Sequence, residues 1–292
     1  MLQSAFVLAT ALLRRIPASV TFAVFSAAAV MSIAAGAARS QILQGDKPVA
    51  KPVAKPKVTP APTPQKLDPK NFTPEQVAEV SILAYGIRDR LNQVRKTTTE
   101  VGTTSYTGAD GKTEQAKYQR FVLRGDDIGK EKIRLDQQFS NARYSLLYNA
   151  GNIIGVYDNN TFTPREDVAK AFENQIVHGL EALIRYKENG STLAIASRDK
   201  VMGVEYIILD LTDKAQRKTR FYISAKTYRV MMLEYDDGGV HYKRKFYDYN
   251  YAQGTLVPFH TTLWANDKVV EDSEIGTVTF GQKVDETMFN VG

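Results

Sequence analysis

From residue 97 to residue 280 most apolar side chains recur at every second position, and short runs of Gly, Asp and Asn break the alternation. A period of two is the mark of strands that bury one face, and it constrains this chain more than any other feature. Strands are expected at 97–104, 115–123, 130–139, 143–149 and 153–157, then at 192–197, 204–211, 219–224, 228–235, 241–249, 256–264 and 268–280. Their separators carry turn chemistry: Asp110-Gly111, Gly125-Asp126-Asp127, Asn149-Ala150-Gly151-Asn152, Asp158-Asn159-Asn160, Asp236-Asp237-Gly238-Gly239 and Asn266-Asp267. The period changes to three and four in two places. Thr73-Pro74-Glu75-Gln76 is a capping box with proline at the first helical position, and Val77, Val80, Ala84, Ile87, Leu91 and Val94 follow as one stripe ending near Lys96. After Pro164, the residues Val168, Phe172, Ile176, Leu180, Leu183 and Ile184 form a second stripe over 165–188, stopped by Asn189-Gly190. Helix, strands, helix and more strands in meander order predict a mostly β, α+β domain over 72–292. Its sheet would be antiparallel and strongly curved, with helices covering one face.

The residues before this domain have another character. Arg14 and Arg15 precede an uncharged apolar run over 16–38, which ends in small residues around Ala35-Gly36-Ala37 before Arg39. A positive flank, an apolar run and an A-x-A site read as a secretory signal over 1–40, cleaved after Ala37, Ala38 or Ser40. The run is also long enough to span a bilayer, so an uncleaved signal anchor is the alternative. Either form sends the chain to the periplasm or cell envelope. Residues 41–71 form a Pro/Lys-rich spacer with prolines at 48, 52, 56, 60, 62, 64 and 69. Proline at that density removes amide donors and fixes φ, so neither helix nor sheet propagates. In a polyproline conformation residues 44–70 would reach roughly 80 Å at about 3.1 Å per residue. Its lysines either keep a plain spacer solvated or touch anionic membrane lipid or cell-wall polymer.

A pI near 9.2 invites a nucleic-acid reading, so the charge must be located. Residues 1–70 hold 9 of the 38 Lys+Arg and 2 of the 32 Asp+Glu, which leaves 29 against 30 for the rest. The folded part is therefore close to neutral and has no general footprint for a phosphate backbone, which argues against nucleic acid as a partner. Cysteine is absent, so disulfides, thiol catalysis and thiolate zinc sites are excluded. His178, His241 and His260 are isolated, with no HxH or HExxH spacing. No G-x-S-x-G elbow, P-loop or GxGxxG turn occurs, and the residues indicate no catalytic, metal or cofactor site. On a strand Asp272 and Glu274 face one way and Glu271 the other, an arrangement expected of a solvated edge. The run from His241 to Tyr249 mixes bases and aromatics, but Tyr and Phe are also good strand formers.

Apolar faces stand out more. Phe121, Leu123, Ile133, Leu135 and Phe139 are read as one face of neighbouring strands, and Ile207, Leu209, Leu211, Phe221, Ile223, Val230 and Met232 as a second. A curved sheet lined in this way either packs solid or encloses an apolar cavity.

Several segments carry a resemblance. They are Gly203-Val204-Glu205-Tyr206-Ile207-Ile208-Leu209-Asp210-Leu211, Phe221 to Thr227, Phe246-Tyr247-Asp248-Tyr249, Gly254-Thr255-Leu256-Val257-Pro258, and the ending Val284-Asp285-Glu286-Thr287-Met288-Phe289. With the order helix, strands, helix, strands, they make residues 72–290 resemble the bacterial outer-membrane lipoprotein carrier and sorting family (LolA/LolB-like). That resemblance implies an unclosed β-barrel covered by helices, without enzymatic activity or cofactor, whose apolar interior holds lipid or lipoprotein acyl chains. The twelve apolar residues above would then line the cavity. Lys132-Ile133-Arg134-Leu135 resembles the family's early Arg-bearing strand, which implies a gating role for Arg134. Alternation sets Arg134 opposite Ile133 and Leu135, so one of the two sets must point outward. The function expected is lipid or lipoprotein binding of carrier type in the envelope. The alternative is an envelope structural or interaction domain with a filled core and no lipid ligand.

Overall fold

The computed structural model describes residues 71–290. The export segment and all but the last residue of the spacer lie outside the described residues. Helix α1 (Pro74–Tyr85) starts as its sequence dictates: the Gln76 amide donates to Thr73 Oγ1 at 3.2 Å, and the Thr73 amide donates to Gln76 Oε1 at 2.8 Å. The helix expected to reach Lys96 instead stops at Gly86 and restarts as α2 (Arg88–Val94). Gly86 sits at φ +147°, and a Cβ there would come within 2.9 Å of Leu91 Cδ2. Glycine alone tolerates that corner, and its amide closes α1 on the carbonyls of Ile82 and Leu83.

Six strands follow: β1 (Thr97–Thr107), β2 (Thr113–Leu123), β3 (Lys132–Gln138), β4 (Arg143–Asn149), β5 (Asn152–Tyr157) and β6 (Asn160–Phe162). The three-residue β6 is an addition to the sequence reading. The second expected helix is likewise two pieces, α3 (Glu166–Val177) and α4 (Leu180–Ile184), parted at His178-Gly179. The chain then runs through β7 (Thr192–Val201), β8 (Val204–Thr212), β9 (Lys218–Ser224), β10 (Val230–Asp237), β11 (Val240–Ala252), β12 (Thr255–Ala265) and β13 (Lys268–Phe280). Turn chemistry lies where it was read: Asp158 and Asn159, and likewise Asn266 and Asp267, all take positive φ between paired strands.

All thirteen strands form one antiparallel sheet in the order β6-β5-β4-β3-β2-β1-β13-β12-β11-β10-β9-β8-β7. The last strand returns to pair with the first, so β1 and β13 lie at the centre while β6 and β7 are the two free edges. A twisted sheet of this width curls, and the result is an open, barrel-like sheet. Because β6 and β7 are opposite edges, the chain between them has to cross from one side of the sheet to the other, and α3 and α4 make that crossing.

Three apolar clusters hold the helices down. Val77, Ala78, Ile82 and Tyr85 of α1 and Leu183 and Ile184 of α4 pack on Ile207, Leu209, Leu211, Phe221, Ile223 and Val230. Each buried aliphatic or aromatic side chain of this kind contributes about 1.5–3 kcal/mol. Phe172 and Ile176 of α3 pack on Tyr118, Ile133, Leu135, Leu146 and Tyr148. A small third cluster, Val257, Val278 and Phe280, lies under Val94. A β-bulge between Val230, which pairs with Ile223, and Met232, which pairs with Tyr222, interrupts the ladder beside Val230. Tyr85 and Tyr249 satisfy Val230 there: its amide donates to Tyr85 Oη at 2.9 Å, and the Tyr249 hydroxyl donates to its carbonyl.

His178, in the break between α3 and α4, makes the fold acid-sensitive. Its ring stacks on Tyr235 with centroids 4.1 Å apart, and Nδ1 lies 2.7 Å from Thr219 Oγ1. Burial pushes its pKa down to about 4; Arg217 and Lys170 add to this, and Asp213 and Asp237 oppose it. The unfolded chain therefore takes up a proton near pH 6.5 that the folded chain refuses. Stability from this group is complete above about pH 6.5 and is lost as pH falls towards 4. At about 1.36 kcal/mol per pKa unit the loss approaches about 3 kcal/mol. His178→Gln should flatten the fall in urea midpoint between pH 6.5 and 4; parallel curves for variant and wild type would contradict this origin.

Candidate functional site

Between the apolar clusters the interior is not filled. A cavity of about 240 Å³ lies over the central strands β1, β2, β3, β11, β12 and β13. Gln175 and Ile176 of α3, Gly179, Leu180 and Glu181 cover it, with Arg95 beside them. One part of its wall is apolar, with Val122, Ile133, Leu135, Ile176, Leu180, Phe246, Ile275 and Val278. The rest is charged: Arg95, Arg120, Arg124 and Arg244 alternate with Glu100, Glu131, Glu181 and Glu271.

The charges are organised. Glu181 receives Arg95 on one carboxylate oxygen and Arg124 on the other, the latter at 2.5 Å. Burial pushes this carboxyl up, but Arg124 and Arg95 pull it down further, to about 2. Arg95 also donates to the Leu256 carbonyl at 3.3 Å and lies over the Phe280 ring. Arg244 pairs with Glu271 at 2.8 Å, and Gln175 donates to the other Glu271 oxygen at 3.0 Å, which ties α3 to the sheet floor. Glu131 pairs with Arg185, whose second terminal nitrogen donates to the carbonyls of Gly125 and Asp126 at 2.7 and 3.0 Å. Tyr118 donates to Glu100 Oε1 at 2.7 Å. That ring crosses β1 at its direct partner Gly102, where a Cβ would stand 2.7 Å from the Tyr118 hydroxyl.

The expected lining residues divide. Ile133 and Leu135 reach the cavity. Phe139 lies just past β3, stacked on Tyr144 and 6.1 Å from the Tyr106 ring, and Tyr106 is itself a lining residue. Phe121 and Leu123 were read as sharing their face, but the register pairs them with Arg134 and Lys132, on the opposite side of the sheet. Ile207, Leu209, Leu211, Phe221, Ile223 and Val230 do share one face, as read, and they are fully buried against α1 and α4 rather than facing the void. Met232 was read in phase with Val230. The bulge reverses its side, and it pairs with Tyr222 and Lys245 while Leu233 turns inward.

Arg134 also points away from the cavity. Its Nε donates to Asp136 Oδ1 at 2.7 Å, Nη1 to the Met288 carbonyl at 2.9 Å and Nη2 to Ser145 Oγ at 3.2 Å. These bonds pin the 3-10 turn Glu286–Phe289 to β3 and β4. Of the acidic group on β13, Glu271 faces inward, while Asp272 accepts from His260 and Thr262 at 3.0 Å each. Among the described residues no group of three or more His, Asp or Glu could hold a metal ion. No helix among them is long and apolar enough to cross a membrane.

The sequence reading missed the arginines and their partners. Their signal was present: Tyr118, Arg120 and Val122 share one face of β2, with Arg124 just past its end, and Tyr242, Arg244 and Phe246 share one face of β11. Which face is interior depends on the register with Ile133 and Leu135.

Solved structures with the same architecture include a DUF1329 family protein from Desulfovibrio piger, with a TM-score of 0.53 and 10% identity over 75% of this chain and 98% of that one. A LolA superfamily protein from Nitrosomonas europaea matches at 0.52, also with 10% identity over 75% of this chain and 98% of its own. The fold is LolA-like. The sequence itself matches no family model and no curated protein.

Proposed function

We propose that this chain is an exported, non-catalytic lipid- or lipoprotein-binding protein of carrier type, acting in the periplasm or cell envelope. The observation that carries the reading is the void under α3 and α4, in a LolA-like sheet whose neighbouring interior is a fully buried apolar cluster. Residues 1–40 direct export. Residues 41–71 are the leash between that segment and the domain, and their lysines meet anionic membrane or cell-wall polymer. The acyl part of an amphiphile lies along Ile133 and Leu135, with Val122, Ile176 and Leu180 around it. At about 240 Å³ the cavity is smaller than the roughly 300–1,000 Å³ of most ligand pockets, so a long chain enters as α3 and α4 lift. Each buried methylene contributes about 0.8 kcal/mol, and association costs of about 4–15 kcal/mol offset much of the sum. Binding is then reversible, as a carrier requires. The small volume is also what favours the second reading, an envelope interaction domain with a filled core.

Two tryptophan substitutions separate these readings. Val122→Trp projects into the void, so it should block uptake of a fluorescent fatty-acyl probe and leave the urea midpoint close to wild type. Leu209→Trp falls in packed core, so it should cost about 1–3 kcal/mol and leave probe stoichiometry unchanged. Uptake by Val122→Trp equal to wild type would remove the cavity as the site. A wild type that takes up no probe would favour the filled core.

A further inference from the structure

The apolar wall accounts for an acyl chain but not for four arginines beside it. Among the described residues, seven buried side-chain nitrogen or oxygen atoms lack a hydrogen-bond partner. Five of them are guanidinium nitrogens of these arginines: Arg95 Nε, Arg120 Nε, Arg124 Nε and Nη1, and Arg244 Nη2. The side chains of Arg95 and Arg124 are only 7% exposed, and among the described residues Arg120 forms no hydrogen bond or close ion pair, its charge acting on Glu131 from a distance. Leaving donors of this kind unsatisfied costs free energy that a nearby acceptor recovers. Charge tells the same story: the four lining glutamates are met by the four lining arginines and by Arg185, which pairs with Glu131 from behind. One positive charge is in excess. All five of these nitrogens are donors, and together with the excess positive charge they suit an acceptor that is an anion.

Resting on the carrier reading above, we propose that the cavity selects amphiphiles with an anionic head, a carboxylate or phosphate bound by Arg120 together with Arg95 and Arg124. The planar guanidinium fork suits both groups, because each presents paired oxygens. Arg124, held through Nη2 by Glu181, keeps Nε and Nη1 for the head, Arg120 turns about its side-chain bonds to join it, and the chain runs along Val122, Ile133 and Leu135. Glu181 holds Arg95 and Arg124 in place and is a positioning residue.

Calorimetric titration of the full chain with dodecanoate, dodecyl phosphate, dodecanol and inorganic phosphate tests this. The expected result is that both anionic amphiphiles bind at least about tenfold more tightly than dodecanol, the effect of one or more charge-assisted hydrogen bonds. A tighter response to one of the two then identifies the head as carboxylate or phosphate. Arg120→Met should abolish the preference by weakening the two anionic amphiphiles towards dodecanol, and urea unfolding checks that the variant is folded, since only the attraction of its charge for Glu131 is lost. Arg120→Lys should restore part of it. Equal binding of dodecanol and dodecanoate overturns the anionic head and leaves the acyl reading standing. Binding of inorganic phosphate that Arg120→Met abolishes, without binding of dodecanol, supports the anion site and removes the acyl reading. Binding of none of the four overturns both.

Discussion

Replacing Arg185 by methionine is expected to destabilise the domain by about 3–5 kcal/mol, the cost of stranding one charge of a buried pair. Arg185 and Glu131 are paired with side chains only 4% and 5% exposed. Burial already pushes the Glu131 carboxyl up against the pull of Arg124 and Arg185. Without Arg185 the carboxylate must either take up a proton or remain charged in a dry site. The carbonyls of Gly125 and Asp126 lose their donor as well. For a domain of this size each kcal/mol moves the melting temperature by about 2–4 °C, so a fall of roughly 6–20 °C is expected. Arg185→Met combined with Glu131→Leu should recover most of that loss, since neither charge is then stranded. A double variant as unstable as the single one would show that Arg185 acts through its carbonyl contacts instead.

Phe221→Ala should cost about 3–5 kcal/mol, as large-to-small changes at packed aromatic positions do. Phe221 is fully buried on β9, within the cluster formed with α1 and α4. It does not line the void, so each folded molecule should still take up one fatty-acyl probe. Urea unfolding and probe titration on the same sample report the two effects separately. Loss of probe stoichiometry from a protein that is still folded would place the acyl site in this cluster and not under α3 and α4.

The contrast between Phe221 and Val122 shows how far the sequence can be read. Strand positions, the antiparallel meander and the apolar phase of Ile207, Leu209 and Leu211 follow from local alternation, and the sheet confirms them. The capping box at Thr73 fixes a helix start without reference to anything distant. Helix ends and the first helix's face were less legible: Gly86 and Gly179 each interrupt an expected helix, and α1 buries Val77, Ala78, Ile82 and Tyr85, whereas Ile87 of the expected stripe is exposed. The site depends on long-range facts. Only the pairing of β2 with β3 reveals that Arg120 and Val122 face inward with Ile133 and Leu135, while Phe121 and Leu123 face away. One extra residue at the β10 bulge moves Met232 to the other face. Charged residues on a strand ordinarily mark its solvated side, and here Arg120, Arg124 and Arg244 are interior because Glu181, Glu271 and the helices enclose them.

Native mass spectrometry of the full chain, purified from cell envelopes without detergent exchange, tests the central claim most directly. The account predicts a wild-type population heavier than the bare chain by one amphiphile, converted to the bare mass by delipidation and restored by added dodecanoate. Val122→Trp should show the bare mass throughout. A wild-type protein that stays at its bare mass even with dodecanoate present, while folded by urea titration, would contradict it.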